Sequence, residues 1–135
     1  MKFFIVDDDQ EMIDLMTLLL AAKGHAVSSN VSGAFSLPEI NKFRPDCVLT
    51  DLVMAELNGL DLCRELRAKH INPALKIIMV SARPRELWLD RARKAGADGF
   101  IAKPLDVDSF VAEVEATLRG REERSRSGSP SGKSR

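Results

Sequence analysis

Four features of this chain could do chemistry together: the run Asp7-Asp8-Asp9, the carboxylate of Asp51, the hydroxyl of Ser81 and the ammonium of Lys103. Each closes a short apolar stretch, at residues 3–6, 46–51, 75–80 and 99–102. Carboxylates about 4 Å apart repel by about 4 kcal/mol at an effective dielectric of about 20. Several of them stay ionised side by side only at high cost unless a cation joins them. A hard divalent ion with oxygen ligands removes the repulsion, and Mg2+ suits sites with few carboxylates that keep waters and take up phosphate. Lys103 adds a second positive charge, and Ser81 adds a hydroxyl donor. Divalent ion, ammonium, hydroxyl and loop N–H groups are the surroundings that a transferring phosphoryl group requires. In that setting Asp51 reads as a nucleophile that forms an acyl phosphate. Taken singly, each feature has a plainer role. Acids at 7–9 can offset a helix dipole, Asp51 can cap the next segment, and a lone Ser81 or Lys103 is most simply structural. The four in combination exceed what capping needs.

The elements that must position them follow from periodicity. Residues 3–6 form a continuous apolar run, the pattern of a strand buried on both faces. Met12, Leu15, Met16, Leu19 and Ala22 then recur at helical spacing, with Asp9 as N-cap and Gly24 supplying a positive φ at the end. Residues 26–29 form a weak second strand. Ala34, Leu37, Ile40 and Phe43 have helical spacing, but Pro38 restricts the helix to a start near Leu37, because proline is tolerated only in a first turn. Beyond the strand at 46–51, a helix starts near Asn58-Gly59 and carries Leu60, Leu62, Cys63 and Leu66. Pro84 opens a helix with Leu87, Arg91 and Ala95, closed by Gly96; Asp106 caps a last one with Phe110, Val111, Val114 and Leu118. Strands alternating with helices mean an α/β fold, a doubly wound parallel sheet of five strands with helices on both faces. Right-handed crossovers put every strand's carboxyl end on one edge, so the four features converge there.

Composition narrows the class further. With 135 residues the chain fits one domain, 44% hydrophobic residues permit a core, and a formal net charge of zero argues neither for nucleic acid nor for an anionic membrane. No signal peptide and no membrane span is legible, so a cytoplasmic location is expected. Cys47 and Cys63 sit in apolar segments and read as buried free thiols rather than a disulfide or metal site. His25 and His70 fall just past helix ends and read as capping or exposed groups. Residues 1–119 form the domain. Residues 120–135 have no apolar side chain, five serines, and five basic against two acidic residues, a +3 tail on a −3 domain that is expected to be disordered. Its final S-G-S-P-S-G-K-S is not a phosphate-binding loop, because Ser127 stands where that motif needs glycine and no strand precedes it.

Four motifs in order carry a resemblance: V-D-D at the first strand end, P-D-C-V-L-T-D-L-V-M with the later N-G, I-I-M-V-S-A, and G-A-D-G-F-I-A-K-P. Over residues 1–119 the chain resembles the receiver domain of two-component response regulators. The resemblance implies the flavodoxin-like strand order 2-1-3-4-5, for which a receiver protein is a standard example. It implies Asp51 as phosphoacceptor, Asp8 and Asp51 as direct Mg2+ ligands, Asp7 acting partly through water, and the Val53 backbone carbonyl as a further ligand. Ser81 and Lys103 match the family's hydroxyl and lysine. Phe100 matches an aromatic switch that moves inward as Ser81 is drawn to the phosphoryl group. The Lys103-Pro104 peptide is expected to be cis. Implied partners are a sensor histidine kinase or histidine phosphotransfer protein in a two-component system or phosphorelay. A downstream protein would be engaged through the fourth helix, fifth strand and fifth helix, with Trp88, Arg91 and Lys94 exposed; direct nucleic-acid binding by this domain is not implied. Such a switch catalyses only its own phosphorylation and dephosphorylation. Ala55, where the family often has proline, loosens the third loop without removing a ligand.

Two other classes compete. A phosphohydrolase of the haloacid-dehalogenase type would use Asp7 as nucleophile and Asp9 as acid/base, with Ser81 and Lys103 in support. It leaves Asp51 unexplained, and Glu11 stands where Thr or Val is expected. A pseudo-receiver would bind partners without phosphoryl chemistry, against which the intact acids, Ser81 and Lys103 argue.

Overall fold

The apolar runs pair as one sheet. A computed structural model describes residues 1–54, 57–69 and 72–127, with side chains through Gly120. In chain order the elements are β1 (Lys2–Val6), α1 (Gln10–Ala21), β2 (Ala26–Asn30), α2 (Ser36–Phe43), β3 (Cys47–Thr50), α3 (Gly59–Lys69), β4 (Lys76–Ser81), α4 (Arg85–Ala95), β5 (Gly99–Ala102) and α5 (Phe110–Ser127). All pairings are parallel and the order is β2-β1-β3-β4-β5. Registers Val6↔Thr50 and Ser81↔Ala102 bring the strands that precede the four chemical groups to a common edge.

Strand side chains alternate between two cores, because successive residues face opposite sides of a sheet. Phe4, Val48, Ile77, Met79 and Phe100 pack with residues of α2, α3 and α4; Phe3, Ile5, Leu49, Ile78, Val80 and Ile101 pack with α1 and α5. Asp9 caps α1, its side chain accepting from the Glu11 N–H, and Gly24 has φ of 89°. Pro38 lies in the first turn of α2, where its missing N–H costs nothing. Asn58 caps α3 through its Oδ1, which accepts from the Asp61 N–H. The Lys103-Pro104 peptide is cis.

Several details differ from the sequence expectation. The buried stripe of α1 is Ile13, Met16 and Leu20, one position on from the expected face, and Ala22 is exposed. Apolar residues at 12, 13, 15, 16, 19 and 20 make a stripe too wide for periodicity alone to centre. On α4, Leu87 is 69% exposed; Ala92 and Ala95 are buried and Trp88 and Leu89 half-buried. So Trp88 is not a fully exposed output residue, and Arg91 stacks over its ring at 4.7 Å. The His25 N–H caps α1 by donating to the Leu20 carbonyl at 3.2 Å, and its ring does not stand free: Nδ1 lies 3.1 Å from the Met1 amino group, Nε2 lies 3.3 Å from Glu115, and the ring meets Phe3 edge-on. The α5 backbone stays helical through Ser127, past the expected start of a disordered tail at 120. Ala55, His70 and residues 128–135, which hold all but the first residue of the loop-like S-G-S-P-S-G-K-S end, lie outside the described residues. No helix among the described residues is long and apolar enough to cross a membrane.

At the opposite edge of the sheet, Arg67 ties three elements together. Its guanidinium donates to the Gly96 carbonyl at 3.0 Å, the Leu75 carbonyl at 2.7 Å and Asp98 at 3.1 Å. Asp98 Oδ2 also accepts from the Ile77 N–H. Removing one partner of a buried ion pair leaves the other charge uncompensated. Arg67→Ala is expected to cost about 3 kcal/mol, read as a lower urea midpoint with unchanged slope. A midpoint shift worth less than about 0.5 kcal/mol would contradict this role.

Candidate functional site

Asp7 stands just past β1, Asp51 just past β3, and Lys103 just past β5. The Lys103 ammonium donates to Asp7 Oδ2 at 2.8 Å and to Asp51 Oδ2 at 3.3 Å. Three strands are thus joined at their carboxyl ends by one cation. Asp7 is fully buried, whereas Asp8 is exposed and the Asp51 side chain is 13% exposed. One carboxylate oxygen from each of Asp7, Asp8 and Asp51 falls within 4.8 Å of the others. Three hard oxygen donors on two adjacent strand ends are a donor set suited to Mg2+.

The Asp51 carboxylate is held unevenly. Oδ1 accepts from the Leu52 N–H at 2.7 Å, while Oδ2 faces Lys103. Its backbone is fixed on every side: the N–H donates to the Val6 carbonyl, the carbonyl accepts from Thr50 Oγ1, and the next carbonyl, of Leu52, accepts from the Gly59 N–H at 2.8 Å. A methyl group built at Gly59 would overlap the Asp51 carbonyl oxygen. Only a glycine lets the first turn of α3 back directly onto the Asp51 peptide. Thr50 and Gly59 are positioning residues that the sequence reading passed over. The N-G pair marked a helix start, but nothing local in it shows what the glycine packs against.

Burial pushes the Asp7 carboxyl above the ordinary aspartate range; the Lys103 hydrogen bond, the Asp9 N–H and the Lys103 charge only partly offset this, and the Asp51 charge adds to it. For Lys103, burial works against the ammonium, yet the Asp7 hydrogen bond and the charges of Asp7 and Asp51 outweigh it and raise the pKa above the usual lysine value. Ser81 is buried, and its Oγ accepts from the Arg83 N–H at 3.1 Å, which leaves the hydroxyl proton to donate. The Lys103 N–H donates to the Ser81 carbonyl, so the hydroxyl and the ammonium are tied through the backbone. Val53 is exposed beside Asp51. Phe100 is 5% exposed and already packed in the α2–α4 core. Asp9 spends its carboxylate on the Glu11 N–H. Burial pushes the thiols up, Cys63 to about 11, so neither is a nucleophile at neutral pH.

With fold and geometry in hand, comparison with known proteins identifies the class. Residues 3–115 match the response regulator receiver domain model. This chain belongs to the response regulator receiver domain family. It is 32% identical over 122 residues to the DNA-binding response regulator MtrA of Mycolicibacterium smegmatis, covering 90% of this chain and 52% of that protein. It is 34% identical over 127 residues to the nisin biosynthesis regulatory protein NisR of Lactococcus lactis, covering 93% of this chain and 53% of that protein. The chain therefore spans about half the length of these relatives. The crystal structure of the receiver domain of NtrX from Brucella abortus superposes with a TM-score of 0.77 at 28% identity, covering 87% of this chain and 98% of that one. Receiver domains are phosphorylatable signalling switches.

The raised pKa of Asp7 has a consequence for stability. A carboxyl whose folded-state pKa is raised contributes stability that is fully present below the unfolded value and lost as pH rises through the folded value. Wherever the buried Asp7 is ionised it therefore costs stability. In metal-free protein, Asp7→Asn is expected to raise the melting temperature at pH 7, and the gain should shrink as pH falls through the Asp7 pKa. Melting curves of both proteins with a chelator check this. A lower melting temperature for the variant at pH 7 would show that the Lys103 attraction outweighs burial.

Proposed function

We propose that this domain accepts a phosphoryl group on Asp51 from a phosphohistidine of a sensor kinase or histidine phosphotransfer protein. The observation that carries the reading is the bridging of Asp51 and Asp7 by Lys103 at the shared strand edge, with Ser81 Oγ free to donate. Asp51 Oδ2 attacks phosphorus. A P–O bond forms, the P–N bond to imidazole breaks, and the leaving imidazole keeps the electron pair and takes a proton from solvent. Oδ1 stays on the Leu52 N–H, which fixes which oxygen reacts. The acyl phosphate adds about −1.5 to −2 charge and three acceptor oxygens. Lys103 keeps Asp7 and pairs with one of these oxygens in place of the Asp51 carboxylate, and the Ser81 hydroxyl takes another.

Asp7, Asp8, Asp51 and the Val53 carbonyl would hold Mg2+. When bound, the ion neutralises carboxylate and phosphoryl charge that these residues cannot otherwise hold together. Full burial of Asp7 leaves no approach for a phosphate ester, and Asp9 is committed to its cap. Both facts favour Asp51 over the hydrolase reading. Output would run through the face of α4, β5 and α5, a reading supported by the exposure of Leu87, Arg91 and Lys94 there. Since Phe100 is already buried, phosphorylation acts there by holding the ring inward and moving the Ser81–Arg83 loop, a shift in populations rather than an inward swing.

Incubation with Mg2+ and radiolabelled acetyl phosphate tests the acceptor. The wild type is expected to take an acid-stable, hydroxylamine-sensitive label that maps to Asp51, and Asp51→Asn to take none. Label persisting in Asp51→Asn, or mapping to Asp7, would overturn the reading.

A further inference from the structure

Seven large apolar side chains are exposed among the described residues, and three of them flank the acidic site: Val31 at 44%, Phe35 at 67% and Val53 at 45% exposure. Val31 directly follows Asn30, whose strand partner is Val6, one residue before Asp7. Val53 stands two residues past Asp51. Between Val31 and Phe35 lies Gly33. A methyl group there would sit 2.5 Å from the Leu57 carbonyl oxygen and 3.1 Å from Met54 Cε. The loop after β2 therefore rests directly on the loop after β3, and the two make one rim.

This rim is held in place by its own hydrogen bonds. The Ser32 N–H donates to Asn30 Oδ1 at 2.8 Å, Ser32 Oγ accepts from the Phe35 N–H at 3.3 Å, and the Ser36 hydroxyl donates to the Ser32 carbonyl at 2.6 Å. Phe35 occupies the N-cap of α2 and makes no side-chain cap. A polar residue is favoured at that position because its oxygen satisfies a free N–H. Here an ordered loop presents a phenyl ring to water instead. The other flank of the mouth, after β4, carries the exposed Arg83 and Arg85.

We propose that Val31, Phe35 and Val53 form a docking collar for the protein phosphodonor. The inference rests on Asp51 as phosphoacceptor. Phosphorus must reach bonding distance of Asp51 Oδ2, and that side chain is only 13% exposed. A protein bringing a phosphohistidine so close must lay its surrounding surface on this rim, whereas a small phosphodonor enters without touching it. The fitting partner is a protein surface that carries the phosphohistidine with an apolar side chain beside it for the collar and acidic groups opposite Arg83 and Arg85.

The variant Phe35→Asn with Val31→Thr removes two of the collar's three side chains and supplies a favoured N-cap, which protects the fold. Wild type and variant are given two donors: acetyl phosphate with Mg2+, and a purified histidine kinase autophosphorylated with ATP and selected for transfer to the wild type. The collar predicts an acetyl phosphate rate within about 2-fold of wild type and a loss of about tenfold or more in kcat/KM from the kinase, carried by KM. Equal kinase rates, or equal losses with both donors, would overturn it. Absence of label on Asp51 in the wild type from either donor would instead overturn the acceptor reading.

Discussion

The site depends on one ammonium shared by two carboxylates. Lys103 reaches from the end of β5 to Asp7 and Asp51 at the ends of β1 and β3. Without it, the fully buried Asp7 would resist ionisation still more, because burial and the neighbouring Asp51 charge both disfavour its carboxylate. The pair of bonds is unequal, 2.8 Å to Asp7 and 3.3 Å to Asp51. The weaker contact goes to Asp51, the group proposed to react. On the proposed function, Asp7 is the permanent anchor of the lysine, and Asp51 would share it only until its own carboxylate became an acyl phosphate.

That division of roles works because the backbone around Asp51 does not yield. The sheet fixes its N–H, Thr50 fixes its carbonyl, and α3 presses on it through Gly59. At the far edge, Arg67 and Asp98 bind β4, the end of α4 and the start of β5 into a second rigid unit. The N-terminal part of α4 lies between these anchors with little to hold it. Pro84 offers no side-chain cap, and Arg85, Glu86 and Leu87 are exposed. A displacement of Ser81–Arg83 therefore meets its least resistance at the start of α4.

The four chemical groups were legible because each ends a short, largely apolar run, and a parallel sheet sends all such ends to one edge. Strand order was legible only through family resemblance, since periodicity carries no pairing information. Other features depend on tertiary contacts with no local signature. The burial of Asp7 next to exposed Asp8 cannot be read from three aspartates in a row. Gly59 looks like a helix start until the Asp51 carbonyl is seen against it. Leu87 has helical spacing with Ala95 yet faces water, because the buried stripe of α4 is made by smaller residues, Ala92 and Ala95, that bring the helix close to the sheet. The helical backbone of 120–127 ran against composition, which lacks apolar residues there but is not poor in helix formers such as Arg and Glu.

The most direct test of the shared ammonium is a carbon-13 NMR titration of the Asp7 side-chain carboxyl in metal-free protein, in the wild type and in Lys103→Met. Lys103 holds the Asp7 pKa below what burial alone would set. The wild-type Asp7 should therefore titrate above the ordinary aspartate range, and removal of the ammonium should move it higher still. An Asp7 that titrates in the ordinary range in the wild type, or at the same pH in both proteins, would contradict the account.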